Sequence, residues 1–192
     1  MALRKIIPYG DSLLRRQSQK IETVDDDILT LIADMKEVVK AAEGVGLAAP
    51  QVGVSKMLFL IDWANLEDGD EEIIAYINPR IIERGDITVE TAEGCLSLPE
   101  VWADVQRPDE IKVEYQTVDG VLHEKDLIGM PARVFQHELD HLLGILFIDR
   151  ISSSERAELK EDLQAIMRGK VKPFDGTLPP KKAKIQDTEN TD

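Results

Sequence analysis

The chain has 192 residues, a length that suits one domain with or without a tail. Its 23 Lys and Arg against 37 Asp and Glu give a formal net charge of −14, which repels phosphate and argues against broad binding to nucleic acid or anionic membranes. A hydrophobic content of 43% argues against wholesale disorder, and no 18-residue apolar run offers a membrane span. The single cysteine, Cys95, cannot close an intrachain disulfide, so the expected compartment is the cytoplasm.

In chain order, Ile28, Leu31, Ile32, Met35, Val38, Val39 and Ala42 form the stripe of an amphipathic helix over Asp25–Glu43, capped by Asp25 to Asp27 and ended by Gly44. A small-residue loop, Gly44-Val45-Gly46-Leu47-Ala48-Ala49-Pro50-Gln51-Val52-Gly53, follows it; it lacks a phosphate-loop signature and alone predicts only a turn. Short apolar or alternating runs at Met57–Trp63, Ile73–Ile77, Ile87–Thr91 and Ile111–Thr117 predict strands. Glu67 to Glu72 is too charged to be buried, and Asp119-Gly120 predicts a hairpin turn between two runs.

A second helix opens at Gly129-Met130-Pro131 and stops at Gly144. A third follows the Ser152-x-x-Glu155 capping box and ends near Gly169. Residues 171–192 are expected to form a disordered polar tail with the basic cluster Lys181-Lys182-Ala183-Lys184, leaving residues 1–170 as the folded domain.

The second helix carries His137-Glu138-Leu139-Asp140-His141. Four residues advance a helix by about 400°, so both imidazoles face one way, a turn apart, with Glu138 beside them. Two surface histidines would give the same pattern, so the third ligand decides. A third histidine of the metzincin type is absent, since Phe147 stands where it would be, and a gluzincin would instead use a downstream Glu. Cys95, in Glu93-Gly94-Cys95-Leu96-Ser97-Leu98-Pro99, is the other candidate, although an isolated cysteine is more often a small buried hydrophobe.

Taken together, Gly44-Val45-Gly46-Leu47-Ala48-Ala49-Pro50-Gln51, Glu93-Gly94-Cys95-Leu96-Ser97 and Gln136-His137-Glu138-Leu139-Asp140-His141 resemble the three motifs of the peptide deformylases, in order and over about residues 3–168. Ala103-Asp104-Val105, Arg107-Pro108-Asp109 and Pro131-Ala132-Arg133-Val134-Phe135 resemble the branch that includes the organellar enzymes. Ser12 stands where many relatives have Pro, and Trp102 where some bacterial relatives have a peptide-contacting Arg.

The resemblance implies an α+β fold with antiparallel strands around the central metal-binding helix. It also implies hydrolysis of the formyl group from N-formylmethionyl nascent peptides. Cys95, His137 and His141 would hold one divalent metal, Fe(II) in the cell and Zn(II), Ni(II) or Co(II) in purified protein. Glu138 would move the proton, while the Gln51 side chain and Leu96 N–H would stabilise the developing oxyanion.

For the methionine pocket the expectation is Val45, Leu47, Met130 and Val134, with Gly46 a further substrate-binding residue. Arg133, one turn before His137, is expected at the outer edge of the site, and Trp102 over the peptide. A weak contact with the ribosome near its exit tunnel is the expected macromolecular partner, with no membrane and no specific nucleic-acid sequence. The competing readings are another metallohydrolase, such as an aminopeptidase, and a non-catalytic ribosome-binding relative.

Overall fold

The computed structural model describes residues 3–66 and 72–177. The first helix, α1 (Asp26–Ala41), starts where the Asp25 carboxylate accepts from Ile28 N–H at 3.0 Å, and Asp26 and Asp27 favour its first turn. Its end is carried by Glu43, at φ 52°, and not by Gly44. The small-residue stretch does more than turn. Gly46–Ala48 forms a short strand, β1, followed by a 3-10 turn at Ala49–Val52.

The strands β2 (Leu58–Asp62), β3 (Ile73–Arg84), β6 (Glu110–Gln116) and β7 (Leu122–Ile128) join β1 in one antiparallel sheet of order β1-β2-β3-β6-β7. The strands β4 (Thr88–Cys95) and β5 (Leu98–Pro108) form a separate hairpin. Asp119-Gly120 makes the β6–β7 turn, with Gly120 at φ 79°. The charged residues 67–71 and the basic cluster at 181–184 lie outside the described residues.

Alternation along β2 explains how the sheet binds a helix on each face. Leu58 and Leu60 join Ile28, Leu31, Ile32, Met35, Val38 and Val39 of α1 in one core, whereas Phe59 and Ile61 join Ala132, Phe135, Leu139 and Leu142 of the second helix, α2 (Met130–Leu142), in another. Phe135 meets Phe59 and Tyr76 edge-on at centroid distances of 5.0 and 5.4 Å. Each such pair is worth about 0.5–1.5 kcal/mol beyond its burial, which fixes α2 against the sheet.

The expected third helix is interrupted at Leu159, giving α3 (Ser153–Glu158) and α4 (Lys160–Met167); Leu163 and Ile166 of α4 pack with Leu98, Val101 and Val105 of β5. The segment after α4 departs from the expectation of a free tail. Val171 packs on this third core, Phe174 packs on the α1 core, and Phe174 C=O accepts from Ile6 N–H at 3.0 Å. Its two apolar side chains offset the ordering entropy that its polar neighbours cannot. No helix among the described residues is long and apolar enough to cross a membrane.

Candidate metal centre and peptide cleft

Cys95 ends β4, and a two-residue turn through Leu96 and Ser97 leads into β5. The hairpin register shifts immediately before it, so Gly94 pairs with Trp102 but Cys95 pairs with Leu98. This irregularity sets the thiol against α2. Cys95 Sγ lies 3.3 Å from His141 Nε2, and the ligand atoms of Cys95, His137 and His141 all fall within 4.8 Å of one another. That separation, one soft thiolate and two imidazoles fit a tetrahedral divalent centre with a fourth position left for a small ligand. The donor set therefore completes the third ligand from Cys95, without a downstream Glu or His.

The ring of His137 is oriented by a carboxylate, with His137 Nδ1 2.9 Å from Glu93 Oε2. Glu93 also accepts from Arg107 Nε and Nη2, at 2.6 and 2.9 Å, and from Arg133 Nη1 at 2.7 Å. Burial opposes its charge, but Arg107 and His137 outweigh it and hold the carboxyl well below the usual carboxylate range. Arg107 continues to Asp140 at 2.8 Å, and Asp140 also pairs with Arg150. Without a metal, burial disfavours charge on His137, yet Cys95 and Glu93 raise its pKa to about 10. His141, depressed by burial and by the charge of His137, stays neutral.

Glu138 is buried beside this cluster, and desolvation pushes its pKa up to about 7. Its Oε2 and His141 Nδ1 have no hydrogen-bond partner among the described residues. Gly46 leaves room for this approach: a Cβ there would lie 2.5 Å from Glu138 Oε1, so the carboxylate would have to shift. Gln51 arrives on the 3-10 turn after β1. Its Oε1 accepts from Ala48 N–H at 2.8 Å, while Nε2 points at Cys95 Sγ and Ser97 Oγ, each at 3.4 Å.

A cleft of about 820 Å³ opens over these groups. It is lined by Val45, Gly46, Gln51, Leu96, Met130, Arg133, Val134, His137 and Glu138. Trp102 also lines it, with 65% of its surface exposed and its ring against Gly94.

One expected cleft residue, Leu47, is corrected, and so is the expected reach of another, Arg133. Leu47 is fully buried in the α1 core, because strand alternation turns it to the sheet face opposite Gly46 and α2. Arg133 lines the cleft but is buried, and its guanidinium does not lie at the outer edge: it donates to Glu93, to Val105 C=O at 2.8 Å and to Val89 C=O at 2.6 Å. The shared helix face was right; the charge inside the protein decides where the side chain ends. The sequence reading gave no role to Glu93 and Arg107, although both stand in motifs that carry the resemblance; the pairing of Glu93 with Arg107 and with His137 depends on contacts between distant segments.

A family model described as polypeptide deformylase matches residues 3–157. The chain belongs to the polypeptide deformylase family. It is 43% identical over 166 residues to a peptide deformylase of Pseudothermotoga lettingae, covering 86% of this chain and 93% of that one. It is 40% identical to chloroplastic peptide deformylase 1B of rice, covering 83% of this chain and 59% of the relative. Among solved structures, the peptide deformylase of Legionella pneumophila superposes with a TM-score of 0.79 at 37% identity, covering 88% of this chain and 98% of that one. The Plasmodium falciparum enzyme, solved with an inhibitor, gives 0.77 at 34% identity, covering 85% and 99%.

Proposed function

We propose that this chain hydrolyses the formyl group from N-formylmethionyl nascent peptides with Glu138 as general base and Cys95, His137 and His141 as metal ligands. The observation that carries this reading is the buried, unpartnered Glu138 Oε2 beside a three-donor cluster. A divalent cation held there supplies the Lewis acidity that lowers the pKa of a water towards neutrality and polarises a carbonyl. The rest is work for side chains. Glu138 takes the proton of the attacking water and returns it to the leaving amine, so that water adds to the formyl carbon, the C–N bond breaks, and formate and a free α-amine depart.

The negative charge that develops on the formyl oxygen needs donors already in place. Gln51 Nε2, held by the bond from Ala48 to its other amide atom, is one; the Leu96 N–H on the turn after Cys95 is the second. Losing one such donor costs about 2.7–4 kcal/mol of transition-state stabilisation. Val45, Met130 and Val134 supply the apolar walls for the methionine side chain, with Gly46 keeping the strand backbone close, and Trp102 covers the outer end.

Fe(II) is the cellular metal in this reading, and thiolate with imidazole accepts Zn(II), Ni(II) and Co(II) as well. A thiolate ligand and Fe(II) both favour a reducing compartment, which supports the cytoplasm. Residues 1–170 form the body of the catalytic domain, on which residues 171–174 pack, and weak docking near the ribosomal exit tunnel would deliver the substrate. A single Cys ligand on a hairpin favours this reading over an aminopeptidase. The test is formate release by anaerobically purified, Fe(II)-loaded protein on formyl-Met-Ala and acetyl-Met-Ala. Release from the formyl peptide alone is expected, and no release from it would overturn the reading.

A further inference from the structure

The family match ends at residue 157, yet the cleft wall does not. Lys172, Pro173 and Phe174 line the same cleft as the metal ligands, together with Glu43 and Gly44 at the end of α1. The segment is fastened at both ends. Val171 is packed on the core beneath β5, and Phe174 on the α1 core, where its carbonyl accepts from Ile6 N–H. Beyond it, Gly176 runs against Leu3, so close that a Cβ would lie 2.5 Å from Leu3 C=O. Between these anchors Lys172 is exposed and Pro173 half-buried. A strap held this way presents a fixed face, since proline restricts the backbone and the flanking apolar contacts prevent it from swinging away.

We infer that residues 171–174 form an outer wall of the peptide cleft that contacts the nascent chain beyond its formylmethionine, making the enzyme favour longer formyl peptides. The inference rests on the proposed deformylase reading. The occupant is an extended peptide, whose successive residues advance about 3.3 Å and so carry the chain from the buried metal ligands out to the exposed strap. Pro173 offers apolar contact, and Lys172 offers a cation to a peptide carbonyl or an acidic side chain, a contact that salt weakens.

The experiment compares kcat/KM on formyl-Met-Ala with that on formyl-Met-Ala-Ala-Glu, using full-length metal-loaded protein, Lys172→Ala and Phe174→Ala. In the parent protein the tetrapeptide is expected to exceed the dipeptide about tenfold, mainly through KM. Lys172→Ala, at an exposed position, is expected to lower that tetrapeptide-to-dipeptide ratio about threefold, and Phe174→Ala, which frees the anchor, to bring the ratio near one. A ratio unchanged by both variants overturns the strap, as does a parent ratio near one. Absence of formate release from both peptides in the parent protein would instead overturn the deformylase reading itself. Thermal melting of Phe174→Ala separates loss of the wall from loss of the fold, and Lys172→Ala decides if that variant does not fold.

Discussion

Glu93 Oε2 stands 2.9 Å from His137 Nδ1, so a carboxylate on β4 orients a ligand on α2 across 44 residues of sequence. The same carboxylate carries both Arg107 and Arg133, with all three side chains buried. Removing one member leaves charge in the interior without a partner, which costs about 3–5 kcal/mol. Glu93→Gln is expected to lower thermal stability and to weaken metal affinity about 10–100-fold. Metal titration of the folded variant checks this, and an affinity equal to the parent's would remove Glu93 from the account of the site.

A Cβ on Gly46 would lie 2.5 Å from Glu138 Oε1, so one of the two must shift. Gly46→Ala is therefore expected to displace the Glu138 carboxylate and to lower kcat about 100-fold, the scale of a misplacement near 1 Å. Metal content should stay at the parent value, because neither atom is a ligand. Steady-state kinetics with metal analysis on one preparation makes the comparison; turnover within threefold of the parent would show that the carboxylate has room to move.

Met130 opens α2 with 45% of its surface exposed and lines the cleft, so it contributes to the cleft more than to the core. Met130→Ala is expected to raise KM for formyl-Met-Ala about three- to tenfold with little change in melting temperature, from lost apolar contact. Val134, buried in the core of α2 and the sheet as well as lining the cleft, should lose stability on the same truncation. Identical kinetic effects of the two variants would argue against Met130 as a pocket wall.

Asp149 supplies the pH dependence. Burial raises its pKa, but Arg15, the Leu146 N–H and Arg156 together pull it below its ordinary value. A depressed carboxyl stabilises the fold fully above its unfolded pKa, about 4, and the contribution disappears as pH falls through the lower folded value. Melting temperatures of the parent and Asp149→Asn are thus expected to differ at pH 6 and to draw together as the pH falls below about 4. A constant difference across that range would contradict the assignment.

Much of this architecture was legible because it follows from local periodicity. The stripe from Ile28 to Ala42 predicts α1, and the spacing of His137 and His141 places both imidazoles on one face. Arg133 shows where such reasoning stops: helical phase puts it on the side of His137, but contacts with Glu93, Val105 C=O and Val89 C=O, all distant in sequence, send it inward. Strand β5 escaped notice because Pro99, Glu100 and Asp104 interrupt its apolar pattern and Arg107 is buried by pairing, not by hydrophobicity. Residues 171–177 read as tail because two apolar anchors, Val171 and Phe174, sit among polar neighbours, and their value depends on cores built by distant segments.

Glu138→Gln tests the central claim most directly, by measuring formate release and bound metal on the same anaerobic preparation. The amide keeps the size of the side chain and leaves Cys95, His137 and His141 untouched, but it cannot accept a proton. The expected result is one divalent ion per chain, as in the parent, with formate release from formyl-Met-Ala reduced at least about 1,000-fold. Parent-like turnover in the metal-loaded variant would contradict the account.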